Sequence, residues 1–191
     1  MALKKAKEKQ WFVIIAPNIF DGKEIGKTLT IEPKNLLNRT ICVNAIDLKD
    51  DLNKYYIKFK FRIVKLEGSK ALTEFDGSEC MQDYISRMVL RRVRRIDTIQ
   101  DLSTEDGVKL RVKGLTTISK KATSTVEKSV RVLISKLIKE ETEKTPLGEF
   151  INMMMSGELK TKILKQGRII YPVRNFEIRK IEVLTNKPGS K

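Results

Sequence analysis

Apolar and polar residues alternate with period two along residues 55–63. Tyr55, Ile57, Phe59, Phe61 and Ile63 share one side, and Lys58, Lys60 and Arg62 the other. The same alternation sets Val108, Leu110 and Val112 against Lys109, Arg111 and Lys113. This period predicts strands with one face in a core. Val64 and Leu66 take the opposite phase, which predicts a bulge or bend near Ile63-Val64. Residues 11–15, from Trp11 to Ile15, form an unbroken apolar run before Pro17 and read as a buried strand. Shorter strands are expected at 28–31, 40–46, 71–75 and 96–102, with turns at 67–70 and at Glu105-Asp106-Gly107. A final strand is expected over 173–184, with a phase slip at Arg179-Lys180.

Period 3.6 replaces period two at four places. Met81, Tyr84, Ile85, Met88, Val89 and Val93 make one stripe, which predicts a helix over 78–95. Asp76 with Glu79 resembles a capping box, and Ser78 is the alternative cap. Arg87, Arg91, Arg94 and Arg95 fall opposite the stripe, while Arg92 falls inside it. A helix over 124–143 starts at a Ser124/Glu127 capping box and turns Val126, Val130, Leu133, Ile134, Leu137 and Ile138 inward. Pro146 opens a helix over 146–155, with Leu147, Phe150, Ile151 and Met154 inward. Ser156-Gly157 breaks it, and a last helix over 157–166 ends at Gly167 before an extended stretch at 169–172.

Together these elements predict an α+β fold. Mixed, mostly antiparallel sheets fill the first two thirds, and helices gather late. Residues 1–10 read as a flexible basic arm, 11–184 as one compact domain, and 185–191 as a flexible tail. Two lobes, about 11–95 and 96–184, are the alternative division.

Charge changes the picture most. Lys and Arg number 39 against 24 for Asp and Glu, a net +15 over 191 residues. Such an excess repels itself in a compact state and calls for a polyanion, with nucleic acid ahead of an anionic membrane surface. The chain has no histidine, which removes Ser-His-Asp triads and Cys-His pairs. Cys42 and Cys80 have no motif spacing and read as small buried residues of a reducing compartment. Gly26-Lys27-Thr28 resembles part of a phosphate loop, but Gly22 stands one residue too near, so a nucleotide site is rejected. Asp47, Asp50 and Asp51 lack the glycine and glutamate of a calcium loop and read as a solvated turn. No catalytic residue, metal ligand or cofactor site is assigned.

The candidate interface is therefore a dispersed set of cations expected to meet phosphates. It comprises Lys4, Lys5 and Lys7 of the arm; Lys58, Lys60 and Arg62 of one strand; and Arg87, Arg91, Arg92, Arg94 and Arg95 of the arginine helix. Lys109, Arg111 and Lys113 of a second strand, Lys120 and Lys121 of a loop, and Lys160, Lys162 and Arg168 near the last helix complete it. Phe59 and Phe61 share a face with Ile57 and Ile63, so they belong to the core and not to a base-stacking platform. Backbone contacts with little sequence readout are expected. Two other functions compete. A nucleic-acid-processing enzyme would hold metal ions on Asp76, Glu79, Asp83, Asp97 or Asp101. A general polyanion or membrane-surface binder would expose bulky apolar residues on a basic helix.

An ordered series of segments also carries a resemblance. It runs from Ile25-Gly26-Lys27-Thr28-Leu29 through Lys58-Phe59-Lys60-Phe61 and Leu72-Thr73-Glu74-Phe75-Asp76-Gly77 to Asp106-Gly107. It ends with Ile170-Tyr171-Pro172-Val173-Arg174-Asn175-Phe176-Glu177-Ile178-Arg179-Lys180. Over nearly the whole chain this resembles the archaeal and eukaryotic small-subunit ribosomal protein family eS-one, or S-three-Ae, in its shorter archaeal form. The resemblance implies a structural constituent of the small ribosomal subunit, in the cytoplasm, on the platform near the messenger exit. Its implied partners are small-subunit rRNA, neighbouring ribosomal proteins and messenger RNA near its exit, with no membrane and no small-molecule substrate.

Overall fold

A computed structural model describes residues 9–49, 51–118 and 122–184. The arm cations Lys4, Lys5 and Lys7, the loop cations Lys120 and Lys121, Asp50 and the tail after 184 lie outside the described residues. The fold is α+β: eight strands, mostly antiparallel, with the three longer helices late in the chain. The chain divides into two compact units, up to Asp76 and from Gly77 onward.

In the first unit, β1 (Gln10–Ile15) pairs antiparallel with β2 (Glu24–Thr30). β3 (Thr40–Asn44) pairs antiparallel with β4 (Ile57–Glu67), and β4 turns through Gly68-Ser69 into β5 (Lys70–Cys80). The start of β5 runs parallel to β1, with Ile14 beside Ala71. Phe59, Phe61 and Phe75 bury their rings with Phe20, whose ring centre lies 5.0 Å from that of Phe59. Phe12, Ile14, Leu36, Ile63 and Ala71 form an adjoining apolar cluster. Alternation along β4 thus holds through Ile63, and the strand continues unbroken to Glu67, with Val64 exposed and Leu66 against that cluster. β3 is shorter than expected, because the chain turns into the short helix α1 (Ala45–Lys49). Asp51 then accepts from the Asn53 amide at 3.0 Å, which tightens the turn before β4.

In the second unit, the end of β5 pairs with β8 (Val173–Val183), β8 with β7 (Lys109–Ile118), and β7 with β6 (Arg94–Ser103), all antiparallel. The expected slip in the last strand is present: Lys113 faces Lys180 and Gly114 faces Ile178, which leaves Arg179 as the extra residue. Helix α3 (Ser124–Lys144) covers the face carrying Ile96, Leu102, Leu110 and Val112. Helices α4 (Leu147–Ser156) and α5 (Glu158–Ile170) follow, divided by Gly157 at φ +83°. Met154 and Met155 fill the core, as expected of a methionine run in a buried helix.

Several sequence expectations need correction. The arginine helix is not 78–95: α2 covers only Gln82–Met88. Residues 76–80 belong to β5, where Gly77 pairs with Glu182 at φ +157°. A Cβ there would lie 2.3 Å from the Ile181 carbonyl oxygen, so only glycine fits this approach. Past Met88 the chain turns at Leu90–Val93, closed by the Val93 amide on the Leu90 carbonyl, and Arg92 takes φ +67°. Arg92 offended the helical stripe because it is no longer in a helix. Arg94 and Arg95 begin a strand whose period two, Ile96 and Thr98 in and Arg95 and Asp97 out, was masked by the 3.6-residue stripe before it.

Neither capping box forms. Thr123 precedes α3 without a side-chain cap bond, and Glu127 binds Arg94 instead. The stripe of α3 is centred on Val130, Ile134, Ile138 and Thr142, with Leu133 and Leu137 only half-buried. Pro146 is the residue before α4, whose first amide, Leu147 N, donates to Asp106 Oδ2 at 2.8 Å. Leu147 is half-buried, and Met155 joins Phe150, Ile151 and Met154 inside. Gly167 does not stop α5, which runs on to Ile170. Trp11 is 64% exposed on a strand expected to be buried on both faces. Cys42 is exposed, and Cys80 alone is a buried thiol. Burial, then Glu177 and Glu79, push its pKa up to about 12, so it stays protonated at neutral pH.

Candidate nucleic-acid interface

The predicted cations divide by what already holds them. On the face of β6, β7 and β8 opposite α3, charges of both signs stand in register. Asp101, Arg111 and Glu182 form one row, and Lys113 and Lys180 occupy the next. Arg111 binds Asp101 with both arms of its guanidinium, Nε to Oδ1 at 2.7 Å and Nη2 to Oδ2 at 2.8 Å. This bond holds the Asp101 carboxyl below its ordinary range. Glu182 accepts from Lys180 at 2.9 Å and Lys113 at 3.2 Å. Its pKa falls to about 2, chiefly through the Lys180 hydrogen bond. The expected basic strand face is therefore a lattice of ion pairs.

Other predicted cations are engaged in the same way. Arg62 binds Asp76, both largely shielded. Arg94 binds Glu127, and Arg95 Nε binds Asp97 at 3.0 Å. Lys162 reaches Glu141 at 2.9 Å. Lys160 binds Glu177, a nearly buried carboxylate that also accepts from Tyr84 Oη at 3.2 Å. Arg87 Nε donates to the Asp83 carbonyl one turn back in α2. Asp76, Asp97 and Asp101, three of the acids considered for metal binding, are thus consumed by arginines. Among the described residues no group of three or more acids or cysteines is placed to hold a metal ion. No described helix is long and apolar enough to cross a membrane.

A second group has no ion-pair partner among the described residues. Arg91 and Arg92 stand exposed side by side on the turn between α2 and β6, and Arg168 is exposed late in α5. Lys58 lies half-buried on β4 opposite Asn44. Lys60 faces Cys42 in the same pair of strands, and Lys109 opens β7 opposite Ser103. Sequence reasoning passed over Lys27 and Lys70. The strand register sets them on either side of Val13, two residues from Trp11. Their signal was present in the alternation of 11–15 against 24–30, but it needed the pairing to be read.

Fold and charge define a class: a strongly cationic α+β protein whose strand cations are mostly paired internally and whose free arginines cluster at a turn. The Ribosomal S3Ae family model matches residues 2–187, and the chain belongs to that family. It is 36% identical over 193 aligned positions to small ribosomal subunit protein eS1 of Methanopyrus kandleri, covering 99% of this chain and 92% of that protein. It is 34% identical to small ribosomal subunit protein eS1 of Sulfurisphaera tokodaii (94% and 93% covered) and 36% identical to that of Methanothrix thermoacetophila (97% and 88%).

Proposed function

We propose that this protein is a structural constituent of the small ribosomal subunit in the cytoplasm, and that it acts by binding rRNA, not by catalysis. The observation that carries the reading is the family match over residues 2–187, with relatives that are themselves small-subunit proteins. The net charge of +15 supplies the physical complement, since rRNA presents a dense lattice of phosphates. Neighbouring small-subunit proteins are its other partners. The resemblance of its ordered motifs supports a position on the platform near the messenger exit, where messenger RNA passes.

Within the predicted set, Arg91, Arg92 and Arg168 are the leading phosphate contacts. An arginine with no carboxylate in its fork meets phosphate without first breaking a bond. Lys58, Lys60, Arg87 and Lys109 stand next. Arg62, Arg94, Arg95, Arg111, Lys113, Lys160 and Lys162 serve first to hold the fold together. Lys4, Lys5, Lys7, Lys120 and Lys121 extend the cationic surface through the arm and loop.

The test is sedimentation of ribosomes from cells that make this protein. It should travel with the small subunit on a sucrose gradient and remain there after the subunits are separated. Recovery only in the soluble fractions would overturn the reading.

A further inference from the structure

Trp11 is the only tryptophan of the chain, and its indole is left in solvent. On β1, Phe12 and Ile14 point into the core, which turns Trp11 and Val13 outward. The partners of these two residues complete a small surface. Leu29 of β2 stands opposite Trp11, and Lys27 of β2 and Lys70 of β5 stand on either side of Val13. Lys9, two residues before Trp11, lines one shallow pocket with Leu29. Lys9, Lys27 and Lys70 are exposed, with no ion-pair partner among the described residues. An exposed indole flanked by free lysines pairs a stacking plane with cations for the adjoining phosphates. That is the chemistry of a single-stranded nucleic-acid contact. A protein partner would call for acidic groups around the ring's cover, whereas phosphates meet three lysines directly.

We propose that Trp11 stacks on an unpaired nucleobase of RNA, with Lys9, Lys27 and Lys70 holding the phosphates beside it. The proposal rests on the rRNA-binding reading and adds to it a single-stranded contact. The first unit then offers one base-stacking residue, although its phenylalanines are core. Recognition is tolerant of sequence, because every base has a face to stack.

The sole tryptophan is also the probe. The full-length protein is titrated with a fluorescein-labelled twelve-residue oligoadenylate and, separately, with a blunt RNA duplex. Anisotropy reports binding, and tryptophan emission reports stacking. The oligoadenylate should quench Trp11 emission with the same midpoint as the anisotropy change. Trp11→Ala should weaken oligoadenylate binding about tenfold, Trp11→Phe should retain most of it, and duplex affinity should be the same in all three proteins. Circular dichroism should not change, since the ring is outside the core. Strand binding with unchanged emission, or Trp11→Ala binding like the parent, would overturn the stacking proposal. Duplex binding that persisted in that case would leave the rRNA reading standing. A parent protein that bound neither RNA would overturn both.

Discussion

Arg111 and Asp101 face each other across β6 and β7 and form two parallel hydrogen bonds, at 2.7 and 2.8 Å. A cation that looks free in the alternating sequence is thus already committed within the fold. The pair is solvent-exposed, and its direct contribution to stability is small, about 0–1 kcal/mol. Its larger consequence is for binding, because the guanidinium fork is full. Arg111→Gln is expected to leave RNA affinity within about twofold of the parent at a fixed salt concentration.

Glu182 makes the lattice sensitive to acid. Its folded pKa of about 2 lies below the ordinary 4.5, through Lys180 and Lys113. The stability it contributes is fully present above the ordinary value and is lost as pH falls toward 2. Screened by solvent, this amounts to about 1 kcal/mol. Urea midpoints for the parent should therefore fall between pH 5 and 2 more steeply than those for Glu182→Gln. Parallel curves would show that the ion pairs carry no linkage.

Gly114 permits the closest packing in the second unit. A Cβ on it would lie 2.6 Å from Thr98 Oγ1, 3.2 Å from the Phe176 ring and 3.4 Å from Ile138 of α3. Gly114→Ala should cost about 1–3 kcal/mol through overpacking, read as a lower thermal midpoint.

The same helix distinguishes its two apolar flanks. Ile134 is fully buried and Leu133 only half-buried. Ile134→Ala should cost about 2–5 kcal/mol and Leu133→Ala clearly less. Equal losses would mean that the buried stripe is broader than Val130, Ile134 and Ile138.

These positions also show what was legible in the sequence. Period two located β4 and β7, and the slip in the last strand was visible at Arg179-Lys180, because each strand's pattern is set by its own core face. The α3 stripe was found but displaced by one residue, since Leu133 and Leu137 flank the buried row and are as apolar as its members. The 78–95 helix failed for a non-local reason: Gly77, Ser78 and Glu79 are committed to β8, a hundred residues away in sequence. The pairing state of the cations was hidden for the same reason. Asp76 for Arg62, Glu127 for Arg94 and Glu182 for Lys113 all arrive from other elements. What stayed legible was the net charge, which needs no fold to be read.

Salt dependence follows from that charge. If about six phosphates are neutralised, affinity for a small-subunit rRNA transcript should fall about a thousandfold between 50 and 200 mM salt. Filter binding across that range measures it, and a flat affinity would remove the electrostatic basis of the interaction.

The most direct test asks which arginines meet phosphate. It measures the slope of log affinity against log salt for the parent, for the Arg91→Gln/Arg92→Gln double variant and for Arg111→Gln, with one rRNA transcript. Losing two phosphate contacts should make the slope shallower by about 1.8 in the double variant and leave it unchanged in Arg111→Gln. A double variant with the parental slope, together with an Arg111→Gln variant whose slope falls, would contradict the division between free and paired cations.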